Sequence, residues 1–209
     1  MDSNTSSEKR EPIQPRRAGG RQRVAELLAA ASDLMAERGY EATTMAEIAA
    51  RAGAKIGSLY RFFPNKEAIA EALLQHHAAI MNEEYEALAA RAADLSPEEL
   101  ADILIDLMVI LYPRVKSLPA LMDARTDRAE IRHTSRSRAL QGIAAALQVC
   151  ASGLDATAAQ DIAVVVLNNM KTMLGMVLKD VPTTPAAPDE LRSMNRLYLA
   201  ARLGSYQRE

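Results

Sequence analysis

The sequence is poor in the residues that build disulfide scaffolds, metal cages and β-sheets. Among its 209 residues there are one cysteine, Cys150, three histidines and no tryptophan. A single cysteine excludes an intrachain disulfide and a thiolate metal site. Alternating runs of Val, Ile and Thr, which are typical of strands, are also missing, whereas Ala, Leu, Met and Glu are frequent. We therefore predict an all-α protein.

Long apolar segments are also scarce. The first twenty residues are polar and rich in Pro and Gly, without the apolar core of a signal peptide. The longest apolar runs, residues 107–112 and 162–167, are too short to span a bilayer. We expect a cytoplasmic protein that does not bind a membrane.

Patterns typical of enzymes are equally hard to find. His76 and His77 are adjacent, so on a helix they point about 100° apart and cannot share a metal ion. The sequence contains neither a glycine-rich phosphate loop nor a nucleophile elbow, and Cys150 in LQVCASG is typical of an ordinary buried thiol. We expect no enzyme activity, no cofactor and no metal site.

The charges are distributed unevenly along the chain. Residues 1–66 contain 11 Lys/Arg against 8 Asp/Glu, whereas the remainder contains 14 against 19. This balance indicates that the N-terminal part meets a polyanion, although a solvated surface can carry the same difference. The basic positions of the tail, Arg16, Arg17, Arg21 and Arg23, are either solvated or form an arm in a DNA minor groove.

Helix start and stop signals follow one another along the chain. After a flexible basic tail, residues 1–20, an amphipathic stripe predicts a helix that ends at Gly39. A capping box of Thr44 and Glu47 begins a second helix, which stops at Gly53. The remaining helices, for a total of nine, are predicted over residues 55–63, 65–92, 96–116, 118–125, 127–151, 156–180 and 188–203.

The stretch IGSLYRFFPNKE, residues 56–67, has an unusual concentration of aromatic side chains. On a helical wheel one side carries the residues that we predict to be buried: Ile56, Leu59, Tyr60 and Phe63. The opposite side carries a small polar surface with one aromatic ring: Lys55, Gly57, Ser58, Arg61 and Phe62. An outward Phe62 either contacts a thymine methyl or packs on a neighbouring helix, and packing is the preferred interpretation.

This outer face suits the reading of DNA. A capped helix, a glycine turn and a short second helix form a helix-turn-helix, and the second helix enters the major groove. Lys55 can donate to guanine, Ser58 can pair with several bases, and Gly57 lets the backbone approach closely. The alternative is that the same small helical head binds a protein.

Positions around this helix suit contacts to the DNA backbone. The Tyr60 hydroxyl lies at the edge of the predicted buried face, within reach of a phosphate. Thr44 and Lys66 each lie at the start of a helix, where partial positive charge favours phosphate.

In fixed spacing, residues 21–77 resemble the DNA-binding domain of the TetR family of transcriptional regulators. The matching elements are Gly39–Tyr40–Thr43–Thr44, the run from Ile48 to Gly53 and the run from Gly57 to Glu67. The chain departs from the family at Ala54 and Lys55, where a β-branched residue and Ser or Thr are usual, and at Phe62, where histidine is common. The expected DNA-contacting residues are Thr43, Thr44, Ala54, Lys55, Gly57, Ser58, Tyr60, Arg61 and Lys66.

The resemblance also implies an architecture and a function. It implies nine helices, with a DNA-binding head at residues 21–66 and an effector-binding and dimerisation domain at residues 67–209. A homodimer through helices 156–180 and 188–203 would bind a palindromic operator in double-stranded DNA and be released by a small molecule. Repression is the commoner habit of the family. Activation, or a role as a protein-interaction module, is the alternative.

The residues of the C-terminal part give weaker signals of their own. Helix 156–180 is apolar on two sides, so it packs either on a second chain as well as its own core or entirely within one chain. The candidates for an effector pocket are three polar residues set in apolar helix faces and one neighbouring methionine: Asp106, Tyr112, Asn169 and Met173. The alternative is that the methionines belong to the core, as they more often do. The identity of the effector does not follow from the sequence.

Overall fold

A computed structural model describes residues 18–206 and confirms the all-α prediction over that range. It contains nine α-helices and no strand within those residues: α1 (Ala18–Arg38), α2 (Met45–Arg51), α3 (Ile56–Phe62), α4 (Lys66–Arg91), α5 (Pro97–Val115), α6 (Leu118–Asp123), α7 (Arg128–Cys150), α8 (Ala156–Leu178) and α9 (Ala187–Leu203). Single turns of 3-10 helix follow α4 and α9. Of the predicted tail, residues 1–17 lie outside the described residues, and residues 18–20 belong to α1.

Four helices, α2, α4, α5 and α8, begin where a side chain satisfies one or more of their first backbone N–H groups. Thr44 and Glu47 form the predicted capping box of α2, with the Thr44 N–H donating to Glu47 Oε2 over 3.0 Å. Asn65 Oδ1 accepts from the backbone N–H of Ala68 at the start of α4. Asp155 does the same for two N–H groups of α8, each at 3.0 Å. Such caps typically contribute about 1 kcal/mol each, which is why they predict helix boundaries well.

Two glycines end the helices that frame the head. Gly39 after α1 has a φ of +86°, and Gly53 after α2 has a φ of +58°. This left-handed conformation is readily adopted by glycine and costs other residues free energy. These turns therefore set the points at which the chain turns from α1 towards α2 and from α2 towards α3.

Backbone contacts divide the described chain into two compact units. Unit 1 contains the described residues up to His77 together with Lys116–Thr126, and unit 2 contains Ala78–Val115 and residues 127–206. Unit 1 thus includes the beginning of α4 and all of α6, beyond the predicted head at residues 21–66. Its core is formed by residues of α1, α2, α3, α4 and α6, among them Leu27, Leu34, Ile48, Leu59, Leu73 and Leu121.

In unit 2, α5 packs against α8 and α9, and α7 packs against α8. Among residues 18–206, α8 is the one helix long and apolar enough to span a bilayer by length and composition. Counting only uninterrupted apolar runs in the sequence does not reveal that α8 is long and apolar enough for this. Seven residues of α8 are buried, and six of them belong to the apolar core of unit 2, including Ile162, Val166 and Met170.

Candidate nucleic-acid interface

Helix α3 is rotated relative to the predicted helical wheel. Leu59 is fully buried and Phe62 is 8% exposed, whereas Tyr60 is 51% exposed and Ile56 is 43% exposed. The prediction that Ile56 and Tyr60 face inward and Phe62 outward is therefore wrong, although the preferred packing role of Phe62 is confirmed. The reason is that Phe63 is not helical: it is the C-cap, with φ −130° and ψ 106°, and it is buried from an extended backbone.

The exposed arc of α3 is centred on Gly57. With Leu59 and Phe62 pointing inward at three-residue spacing, Gly57 lies opposite them, and Ile56, Tyr60 and Arg61 flank it. Ser58 lies at the edge of the buried face and is half-buried. The arc thus presents bare backbone at its centre, one apolar side chain, one phenol and one guanidinium.

The positive charges of this surface are not paired with acids of residues 18–206. Lys55, the exposed N-cap of α3, and Arg61 make no ion pair with a residue in the described part of the chain. The guanidinium carbon of Arg61 lies 5.8 Å from the centroid of the Phe62 ring. Both cations are therefore available to a polyanion.

Other arginines of the head are already neutralised. Arg51 makes two hydrogen bonds of 2.9 Å to the Glu37 carboxylate, and these lower the pKa of Glu37 and raise that of Arg51. Arg38 lies 2.6 Å from Glu47 Oε1. The pKa of Glu47 is lowered first by its hydrogen bonds with Thr44 and then by Arg38. Two of the cations counted in the sequence thus balance carboxylates of unit 1.

The turn before α2 holds the two predicted threonines in different environments. Thr43 is buried, and its hydroxyl donates to the Gly39 carbonyl over 2.8 Å. Thr44 is exposed at the start of α2, and its hydroxyl donates to Glu47 Oε2 over 2.7 Å. Thr43 therefore shapes the turn, and Thr44 is the one accessible from solvent. Ala54, at the next turn, is half-buried, and its N–H donates to the Ala49 carbonyl over 2.9 Å.

Lys66 is bound within unit 1. Its Nζ donates to the carbonyl oxygens of Tyr40 at 2.9 Å and Glu41 at 3.2 Å, and lies 4.3 Å from the centroid of the Tyr40 ring. The Tyr40 hydroxyl in turn donates to Glu67 Oε1 over 3.4 Å, and burial raises the pKa of Tyr40 to about 12. Two of the three ammonium protons are thus engaged by the backbone of the turn between α1 and α2.

The four residues predicted to line an effector pocket each have different surroundings in the structure. Asp106 accepts three hydrogen bonds from Arg192, the shortest 2.9 Å, and thereby ties α5 to α9. The Asn169 amide donates to Asn195 on α9 over 3.4 Å. Met173 is fully buried, and Tyr112 is half-buried. Within residues 18–206, no hydrogen bond or ion pair joins any two of these four.

Candidate catalytic or metal-binding side chains remain isolated within the described residues, where no cluster of three metal-ligating groups occurs. His76 and His77 have ring centroids 6.4 Å apart, and His77 is buried with its Nε2 3.4 Å from the Ser117 hydroxyl. Cys150 is half-buried, its thiol donates to the Leu95 carbonyl, and burial raises its pKa. A raised pKa makes a thiol a poorer nucleophile.

Comparison with known proteins matches the head by sequence. Residues 27–73 match the profile described as "Bacterial regulatory proteins, tetR family". Over 53 residues the chain is 42% identical to the uncharacterized HTH-type transcriptional regulator YvkB of Bacillus subtilis (strain 168). That match covers 25% of this chain and 28% of the relative, so the chain matches well under a third of that relative's length.

Comparison with solved structures matches the fold over most of the chain. A protein from Mesorhizobium loti MAFF303099, described as a TetR-family transcriptional regulator, has a TM-score of 0.67 at 21% identity, covering 93% of this chain and 100% of that one. A regulator from Aquifex aeolicus VF5 has a TM-score of 0.64 at 20% identity, covering 84% and 99%. The head is therefore similar in sequence to the tetR family of bacterial regulatory proteins over residues 27–73, and the chain as a whole has the fold of these two solved structures.

Proposed function

We propose that this protein is a cytoplasmic transcriptional repressor that binds a palindromic operator as a homodimer and is released by a small molecule. The observation that carries the DNA-binding part is the outward arc of α3. Gly57 lies at its centre, and Lys55 and Arg61, which form no ion pair within residues 18–206, lie beside it. Buried Leu59 and Phe62 anchor it from behind. A short helix needs such an anchor, because isolated helices of this length are marginal in water.

The arc divides into residues that specify sequence and residues that position the protein. Lys55 and Ile56 lie at the N-terminal end of α3, which is the end of a recognition helix that meets base edges. An ammonium there suits guanine O6 and N7, and a branched apolar side chain suits a thymine methyl. Arg61, Tyr60 and exposed Thr44 suit phosphates, which fix register without carrying sequence information.

The proposal of a homodimer rests on exposed apolar side chains of α8 and α9. Val165 and Val177 on α8, and Met194 and Leu197 on α9, are all exposed, and Leu197 is 72% exposed. These two helices carry most of the large exposed apolar residues of unit 2. A second copy would cover them in an isologous four-helix arrangement.

The proposal of a small-molecule effector rests on the shared fold. One structure of that fold is a complex of SmeT with triclosan, with a TM-score of 0.58 at 23% identity over 90% of this chain. SmeT is described as the repressor of a Stenotrophomonas maltophilia efflux pump. Helix α4 belongs to both units, so an effector bound in unit 2 can act on the same helix that begins beside α3. Linkage then requires that DNA weakens effector binding by the factor with which effector weakens DNA binding.

Selection from a random DNA library by the purified protein tests the DNA-binding part. We expect an inverted repeat whose half-site centres are about 34 Å apart, or a small multiple of that spacing. Recovery of a single asymmetric site would contradict dimeric recognition. Enrichment of no sequence, together with capture of a protein partner by the same arc, would favour the protein-interaction alternative. A reporter gene behind the selected site then separates repression from activation.

Light scattering of variants tests the dimer. Leu197→Glu places a charge on the proposed interface and is expected to halve the molar mass at micromolar concentration and to weaken operator binding. Ile110→Glu is the matched control, because Ile110 is 66% exposed but lies on α5. A Leu197→Glu protein that keeps the wild-type mass would overturn this interface.

A further inference from the structure

The hydroxyl group of Tyr85 lies in the core of unit 2 and has no hydrogen-bond partner among the described residues. Tyr85 is on α4 and is 4% exposed, and its Oη makes no hydrogen bond to any residue in the described part of the chain. Burial raises the pKa of Tyr85 to about 12, so the phenol is a neutral donor at physiological pH. Buried polar groups in folded proteins are nearly always hydrogen-bonded, so an unpaired phenol needs an explanation.

The ring of Tyr85 is held in place at its root. A Cβ added to Gly142 on α7 would lie 2.6 Å from both Cβ and Cγ of Tyr85, so the ring packs directly on the backbone of α7. Real Cβ atoms essentially never approach so closely, so the packing requires glycine at this position. The phenol is therefore fixed in one direction rather than free to swing toward another residue.

The surroundings of Tyr85 are apolar and adaptable. Tyr85 belongs to the buried apolar cluster of unit 2, and the partly buried residues packed against that cluster include Met81, Met108 and Leu140. Met81 lies one helical turn before Tyr85 on the same face of α4. Methionine side chains are unbranched and flexible, so they can rearrange around an inserted molecule.

We infer that the Tyr85 hydroxyl is the polar anchor of a binding site in unit 2 for a largely apolar molecule that presents one hydrogen-bond acceptor, such as a carbonyl oxygen. The acceptor satisfies the buried donor, and the flexible methionines accommodate the apolar body. That this molecule is the effector rests on the proposed function; that the site selects for an acceptor does not.

The test uses two probes that differ in the acceptor, acetophenone and ethylbenzene. Both are titrated into the full-length protein with 13C-methyl-labelled methionine, and the shifts of the Met81 and Met108 methyl resonances are followed. We expect acetophenone to bind wild type about 5-fold more tightly than ethylbenzene, the contribution typical of one neutral hydrogen bond. In Tyr85→Phe the two probes are expected to bind equally. A preference for acetophenone that survives in Tyr85→Phe, or no binding of either probe to wild type, overturns the inference.

A second measurement needs no ligand. Tyr85→Phe removes a hydroxyl that has no partner, so its midpoint of thermal unfolding is expected to equal or exceed that of wild type. The matched control is Tyr40→Phe, which removes a hydroxyl bonded to Glu67 and is expected to lower the midpoint. A fall in Tyr85→Phe as large as in the control would show that the phenol has a partner within the protein.

If the acetophenone preference holds but acetophenone leaves operator affinity unchanged, the site stands and the proposed effector response falls.

Discussion

Substitution of Lys66 separates two roles that the sequence alone does not distinguish. A lysine at the start of α4 suits a phosphate contact, yet its Nζ donates to the carbonyls of Tyr40 and Glu41 and lies over the Tyr40 ring. Lys66→Met keeps most of the aliphatic stem and removes the charge and both hydrogen bonds. We expect it to loosen the turn between α1 and α2, which carries Thr44 to the start of α2.

The magnitude follows from the contacts. Hydrogen bonds to a charged group typically contribute about 1.5–3 kcal/mol, and a cation–π contact at an exposed site about 0.5–1 kcal/mol. Because the ammonium of Lys66 is only partly buried, solvent replaces part of this, and we expect a loss of about 1–2 kcal/mol. For a chain of this length that lowers the unfolding midpoint by about 2–8 °C. Operator affinity is expected to fall on every sequence alike.

The decisive assay is the dependence of operator affinity on salt concentration. A side chain that neutralises a phosphate contributes about 0.9 to the slope of log K against log salt, whereas an internal contact contributes nothing. Lys66→Met is therefore expected to keep the wild-type slope. Arg61→Met is the comparison: Arg61 is exposed and makes no ion pair with a described residue, so its loss is expected to lower the slope by about 0.9 per head. Equal reductions in the two variants would refute the internal role of Lys66.

Three further outcomes follow from single residues. Burial lowers the pKa of His77 from 6.5 to about 4. Between pH 6.5 and about pH 4, His77 is therefore protonated in the unfolded chain but neutral in the native chain. Stability is therefore expected to fall by up to about 3 kcal/mol as pH drops from 7 to 4, and urea unfolding should show this loss absent in His77→Leu and retained in the exposed His76→Gln. Gly142→Ala forces a Cβ into the Tyr85 ring and is expected to cost about 1–3 kcal/mol in the same assay, whereas a neutral result would mean that the ring moves freely. Ile56→Ala is expected to relax a thymine preference in library selection by about 1 kcal/mol, and an unchanged selected motif would exclude Ile56 from base contact.

The helix boundaries were predictable because local chemistry determines them. Thr44, Asn65 and Ser96 each satisfy backbone donors of the helix that follows, and the glycines after α1 and α2 adopt positive φ. These interactions span at most four residues, so they can be read from the sequence. The orientation of α3 was not predictable in the same way. The helical wheel treated Phe63 as part of the helix, but Phe63 lies after its end and is buried from an extended backbone. The buried face of α3 is therefore formed by Leu59 and Phe62.

The same distinction explains why the pocket candidates of the sequence and the unpaired groups of the structure differ. A polar residue in an apolar helix indicates that something polar faces it, but not whether that partner is a ligand or another helix. Arg192, 86 residues further along the chain, bonds Asp106, and Asn195 bonds Asn169, so interhelical pairs explain both. Tyr85 is the opposite case, because its apolar neighbours suggest an ordinary core residue. Only the three-dimensional structure shows that its hydroxyl has no partner among the described residues. The pairing of distant helices therefore accounts for the polar residues of the apolar stripes, whereas it leaves the buried donor of Tyr85 without an acceptor among the described residues, which is why the proposed ligand site rests on Tyr85.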